Sequence, residues 1–156
     1  MRIIVDANIV FSAILNTNSK IADLLLNSNE IFAFIAPDFL QSELHKYHSK
    51  ISKISKLSIS EIINVENKIT KPIVFMSGIL IPEKKWILAE NIVRDIDIKD
   101  TPYIAFSLFY KCKIWSGDMV LRNGLENKGF KNVISTEELF EIRETKRERK
   151  PLNLEP

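Results

Sequence analysis

Apolar residues along this chain follow two rhythms: short unbroken runs, and longer stretches in which they recur every three or four positions. Arg2-Ile-Ile-Val-Asp6 is of the first kind. β-Branched residues with no alternating polar partner suit a strand inside a parallel sheet, so Asp6 falls at a carboxyl end. Glu30 to Ala36 (E-I-F-A-F-I-A) predicts a second buried strand ending at Pro37, and Lys113-Ile-Trp115 and Asn132-Val-Ile134 predict two more.

The second rhythm marks helices. Lys20 to Leu26 has helical spacing. Pro37 is suited to open a helix, where its missing N–H costs nothing, and Leu40, Leu44, Tyr47, Ile51 and Ile54 then define one apolar face. Ser58 and Glu61 have capping-box spacing at the start of a helix running to about Lys71. Residues 83–94 predict an amphipathic helix and Thr101 to Tyr110 a more apolar one, entered from the acidic segment Arg94 to Asp100. A short helix runs from Asp118 toward Leu125, and a second capping-box pair, Ser135 and Glu138, follows the last strand. Strands alternating with helices predict an α/β fold with a mainly parallel sheet. No internal repeat is present. The domain is expected to span residues 1–142. Residues 143–156 are read as a charged C-terminal tail ending in Pro151 and Pro156, mobile in its outer part.

Composition narrows the class. A chain of 156 residues has room for one domain with a real core, and 46% hydrophobic with 27% charged residues is the balance of an ordinary globular protein. Asp6 interrupts any signal-peptide pattern, and no apolar run approaches the roughly 20 residues that span a bilayer. The expectation is a cytoplasmic protein with no membrane partner. With Cys112 the lone cysteine and only His45 and His48 as histidines, neither a disulfide nor a Cys/His zinc site is indicated, so any metal must be held by oxygen. A formal net charge of +2 is too small to argue for nucleic acid by itself.

The informative residues are acids. Asp6 ends the first strand, Asp118 follows a later one, Asp100 stands at a helix start, and Glu43 lies about 1.5 turns beyond Pro37. Open parallel sheets bind ligands outside the carboxyl ends of their strands, so these side chains can converge. Converging carboxylates repel one another unless a cation sits among them. Oxygen ligands favour a hard ion, Mg²⁺ or Mn²⁺, and one such ion or a close pair suits phosphodiester hydrolysis. Each acid also has an ordinary structural reading. Asp100 before Thr101-Pro102 has the form of an N-cap, Asp118 can cap the helix toward Leu125, and a helical Glu43 is commonly solvated. Asp6 closing a buried strand has little such use.

Asp6-Ala-Asn8, Glu43 behind Pro37, Asp97-Ile-Lys-Asp100-Thr-Pro-Tyr-Ile-Ala105, Trp115-Ser-Gly-Asp118 and Val-Ile-Ser-Thr-Glu-Glu-Leu139, in that order, resemble a PIN domain over residues 1 to about 142. The resemblance implies an α/β/α sandwich and Mg²⁺- or Mn²⁺-dependent RNA cleavage by an acidic quartet at Asp6, Glu43, Asp100 and Asp118. Asp97 would be an auxiliary acid, with Asn8 and Ser116 as supporting polar residues. Many small members resemble VapC toxins and are silenced by an antitoxin protein. Two departures are Val120, where many relatives carry a second Asp, and Ser116 in place of the commoner Thr, which leaves open whether one ion or two are held.

His45 to Lys56 contains Lys46, Lys50, Lys53 and Lys56 and no acid. A continuous helix would align these lysines as a track for an RNA backbone, against the plainer reading of a solvated face. His45 and His48 read as surface polar residues. Trp86, Phe106 and Phe109 read as core or homodimer contacts. Among rival functions, a haloacid-dehalogenase-type phosphatase needs a second Asp where Asn8 stands, and a receiver domain needs a mid-chain phosphoacceptor that is missing. There is no Gly-rich phosphate loop or Ser/His/Asp arrangement. The remaining alternative is a non-catalytic PIN-like module that binds RNA or a protein.

Overall fold

The computed structural model describes residues 1–150. In chain order the elements are β1 (Arg2–Val5), α1 (Ala7–Leu15), α2 (Lys20–Asn27), β2 (Ala33–Pro37), α3 (Phe39–Ser55), α4 (Ile59–Thr70) and β3 (Ile73–Met76). They continue with α5 (Glu83–Val93), α6 (Thr101–Tyr110), β4 (Lys113–Trp115), α7 (Met119–Asn127), β5 (Val133–Ile134) and α8 (Thr136–Glu148). Single 3₁₀ turns at Gly78–Leu80 and Ile98–Asp100 precede α5 and α6.

All five strands are parallel, in the order β3-β2-β1-β4-β5. The central strands are apolar throughout because both faces are covered: Ile3, Ile4, Val5, Phe34, Ile114 and Trp115 are all buried. From β1 to β3 the chain steps outward in one direction, and β4 then returns to the other side of β1. Right-handed crossovers therefore send the connections to opposite faces. α1, α2, α3 and α4 pack on one another with α8 against α2, while α6 packs on β1, β2 and β4 with α5 behind it.

Several predicted elements differ in the structure. Pro37 closes β2 rather than opening a helix. It pairs with Met76 of β3, whereas pairing with β1 ends at Ile35, so no neighbour asks for its missing N–H. The buried face of α3 is Leu40, Leu44, His48 and Ile51, not the predicted stripe ending in Ile54. Ile54 is 56% exposed. His48, expected at the surface, is buried because its Nε2 lies 2.6 Å from Glu66 Oε2 of α4, which satisfies its polar tip. α1 and β3 had no counterpart in the pattern. α1 follows Asp6 so closely that its apolar run merges with that of β1. β3 is an edge strand with only Ile73 buried, so it is defined by pairing with β2 rather than by its own pattern.

The predicted tail boundary at residue 142 falls inside α8. Arg143 is buried and its guanidinium reaches Asp23 of α2 at 2.7 Å, while Arg147 donates to the Asn27 carbonyl at 2.6 Å. Residues 143–148 are thus helix docked on α2, and Pro151 and Pro156 lie outside the described residues. No single helix among the described residues is long and apolar enough to cross a membrane.

Candidate functional site

The register of the sheet sets the first contact of the site. Val5 pairs with Trp115, so the residues one step on, Asp6 and Ser116, emerge side by side at the carboxyl edge. The Asp6 N–H donates to the Trp115 carbonyl, and Ser116 Oγ donates to Asp6 Oδ2 at 2.7 Å. The same hydroxyl accepts the Asp118 N–H at 3.1 Å. Ser116 thereby ties the ends of β1 and β4 together. Asp6 is N-cap of α1, accepting the Asn8 N–H, and Asp118 is N-cap of α7, accepting the Leu121 N–H at 3.0 Å. The capping reading of Asp118 therefore holds, and the residue faces the cleft as well.

Asp100 behaves otherwise. It occupies the N-cap position of α6 with an αR backbone and its side chain caps nothing, because the preceding 3₁₀ turn already shapes the entry to the helix. Asp97 takes the capping role one turn earlier, accepting the Lys99 N–H at 3.0 Å. Gly124 of α7 permits this segment to approach, since a Cβ there would come 2.7 Å from Ile96 Cδ1.

A cleft of about 90 Å³ is lined by Asp6, Asn8, Glu43, Asp97, Asp100 and Asp118. All four acids of the predicted quartet, the auxiliary acid and Asn8 thus border one space, and Ser116 lies directly behind it. None of the tentative RNA-contacting lysines lines this cleft. Lys46, Lys50 and Lys53 lie along exposed α3, with Lys46 Nζ 3.0 Å from Glu43 Oε1. Lys56 falls past the helix end in a left-handed conformation (φ 60°), so it does not continue the row.

The cleft also holds Phe39, Tyr47, Tyr103 and Lys99, to which the sequence reading gave no part in the site. Phe39, Glu43 and Tyr47 recur at intervals of four on α3, and Tyr103 follows Asp100 by three on α6. Both spacings place side chains on one helical face and were a readable signal. The Tyr103 hydroxyl accepts the Ala7 N–H at 3.3 Å, and its ring meets Phe39 edge-on at 5.9 Å. Lys99 lines the outer rim.

Electrostatics reflect the crowding of like charge. Burial, and then the charges of Asp6, Asp97 and Asp118, push the Asp100 carboxyl up to about 7. Burial also holds Asp6 above the ordinary aspartate value, against the lowering effect of the Ser116 and Asn8 hydrogen bonds. Tyr103 is raised by burial and by Asp6.

Among the described residues, no three His, Cys, Asp or Glu side chains stand close enough together to form a ready-made metal cage. The acids instead form the walls of a cleft in which Glu43 pairs with Lys46 while Asp6, Asp97, Asp100 and Asp118 have no ion-pair partner among the described residues. That donor set fits a hard divalent ion of the Mg²⁺ type, which binds through one or two carboxylates and keeps several waters. Asp6, Asp100 and Asp118 would hold it, with Glu43 and Asp97 at the margin.

Fold and cleft together define an α/β/α protein with an acidic site at the carboxyl edge of a parallel sheet. The chain belongs to the PIN domain family, whose family model matches residues 4–145. PIN domains are generally nucleases, act on nucleic acid and typically use divalent metal ions. No curated protein matches the chain.

Proposed function

We propose that this protein is a Mg²⁺- or Mn²⁺-dependent endoribonuclease that hydrolyses RNA phosphodiester bonds as the toxin half of a toxin–antitoxin pair. The observation that carries the reading is the single cleft lined by Asp6, Glu43, Asp97, Asp100 and Asp118, in which Asp100 is both uncapped and raised to about 7. An isolated binding module has no use for such repulsion, whereas a site that accepts a cation and a phosphate does.

When bound, the ion supplies Lewis acidity toward a phosphate oxygen and makes a water more acidic. The chain's own residues do the rest. Hydrogen bonds from Ser116 and Asn8 fix Asp6, and the Leu121 N–H fixes Asp118, so two carboxylates are held in place without rearrangement. Asp100 has both carboxylate oxygens free of capping bonds, so it can join Asp6 and Asp118 as a ligand without giving up a helix cap. Among the described residues, neither Cys112 nor His48 suits covalent catalysis. Cys112 precedes β4, at the opposite edge of the sheet, with its thiol pushed up to about 11 by burial, and His48 is engaged by Glu66.

The test is cleavage of a fluorophore-labelled RNA panel by purified protein with Mn²⁺, with Mg²⁺ and after chelation. Cleavage should require the ion and fall at least roughly 10²-fold in Asp6→Asn and Asp100→Asn. Activity that survives chelation, or persists in both variants, overturns the mechanism. The toxin role rests on the resemblance to small PIN toxins. Induced expression in bacteria should arrest growth with the wild type and not with Asp100→Asn, and unimpaired growth with an active wild type would remove that role while leaving the ribonuclease.

A further inference from the structure

A second hollow adjoins the acidic cleft. It measures about 340 Å³ and is lined by Asn8, Phe11, Ser12, Ile21, Gly117 and Asp118. Asn8 and Asp118 border both spaces, so the two lie next to each other at the N-terminus of α1. Their sizes and walls differ. The acidic cleft, at about 90 Å³, has room for an ion and a few waters but not for a ring system. The second hollow lies in the size range of small-ligand sites, roughly 300–1,000 Å³, and combines apolar Phe11 and Ile21 with the amide of Asn8 and the hydroxyl of Ser12.

We infer that this hollow is a nucleobase pocket for a nucleotide flanking the phosphate held in the acidic cleft. The inference rests on the ribonuclease reading above and names its substrate as RNA with an unstacked base. Three observations support that occupant. The pocket borders the proposed phosphate position on the side of Asp118, one residue from Gly117. Its aromatic wall, Phe11, is braced edge-on by Tyr47 at 5.5 Å, a ring that itself lines the acidic cleft. Lys50 Nζ lies 5.6 Å from the centre of the Phe11 ring, which places a cation beside the aromatic wall, where the phosphate of the inserted nucleotide would pass. An aromatic surface beside a cation is the usual combination for single-stranded nucleic acid. A base inside a duplex would have to unpair and unstack before entering, so unpaired RNA is the favoured substrate. Asn8 and Ser12 bring donors and acceptors to the base edge, so the pocket selects among bases as well as admitting them.

Gly117 provides the test, because a Cβ added there meets nothing within 4 Å and its backbone needs no glycine conformation. Gly117→Leu therefore adds bulk at the pocket wall without straining the fold. Binding is read by fluorescence anisotropy in chelator, using a labelled single-stranded RNA ten-mer and a ribose-phosphate ten-mer of the same length without bases. The Gly117→Leu variant should lose about tenfold in affinity for the RNA, the size expected from losing one stacked base, and bind the baseless chain as the wild type does. Phe11→Leu keeps the apolar volume but removes the ring, and should show the same selective loss. A wild type that binds both chains equally well, or variants whose RNA affinity is unchanged, overturn the base pocket while leaving the cleft and its chemistry intact. A wild type that binds neither chain overturns the base pocket, and the ribonuclease reading is then decided by the metal-dependent cleavage test alone.

Discussion

At the scale of single residues, the site is organised by which acid is tied down and which is not. Asp6 and Asp118 each spend an oxygen on a helix N-terminus, and Ser116 joins them. Asp100 spends none. Its raised value has a stability consequence. Because the folded protein holds the Asp100 proton more tightly than the unfolded chain does, this group's contribution is fully present below about pH 4. It is lost as pH rises through about 7. At pH 8 without divalent ions the ionised group is a net cost, of roughly 1–2 kcal/mol after discounting for water in the open cleft. Asp100→Asn should therefore raise the melting temperature in chelator by about 2–6 °C at pH 8 and have little effect at pH 4. Unchanged or lowered thermal stability at pH 8 would mean that Asp100 is not under electrostatic stress. The same substitution is predicted to abolish cleavage, so stability and activity should move in opposite directions.

At the scale of elements, α3 shows how one helix divides its faces. Leu40, Leu44, His48 and Ile51 face the core, Phe39, Glu43 and Tyr47 face the cleft, and Lys46, Lys50 and Lys53 remain exposed. Periodicity alone predicted an amphipathic helix here. It assigned Tyr47 and Ile54 to the core and His48 to the surface because hydropathy ignores partners. Glu66, eighteen residues away on α4, is what makes a buried histidine tolerable. The lysines follow the same logic. Replacing Lys46, Lys50 and Lys53 together with Gln should reduce the slope of log affinity against log salt for single-stranded RNA by about 2, at roughly 0.7 per phosphate contact. Lys56→Gln, beyond the helix end, should leave the slope unaltered. Binding titrations between low and moderate salt decide this, and an unchanged slope in the triple variant would make these lysines a solvated face.

On the scale of the whole molecule, the strand order β3-β2-β1-β4-β5 places the reversal of winding between β1 and β4. In open parallel sheets the crevice at such a reversal is where ligands bind, because the two crossovers diverge to opposite faces. Asp6 ends one flanking strand and Asp118 follows the other. The domain also closes on itself through α8. Arg143 is buried between Asp23, Ser28 and Glu144, with its guanidinium over Phe140 at 4.8 Å. Ending the chain after Ile142 would remove this anchor and expose the α2 surface it covers. Such a truncation should lower stability by about 1–3 kcal/mol, read as a shift in the urea midpoint, because the Arg143 partners Asp23 and Glu144 are themselves partly solvated. A full-length midpoint in the truncated protein would show that residues 143–148 are dispensable to the fold.

The sequence by itself determined what local chemistry controls. Both capping boxes, at Ser58 and Ser135, formed with reciprocal bonds, and the strand at Lys113–Trp115 and the helix at Thr101–Tyr110 have the predicted bounds. A capping side chain reaches only three residues, and a buried parallel strand is apolar at every position, so each signal is complete within a few residues. Only the tertiary structure decided which acid caps and which is free, that His48 is buried, and that Ile73–Met76 is a strand. It alone brought Phe11 beside Gly117, more than a hundred residues apart in the chain, around one hollow. These outcomes depend on partners supplied by distant segments, and the identity of a partner is not written in the residues next to either one.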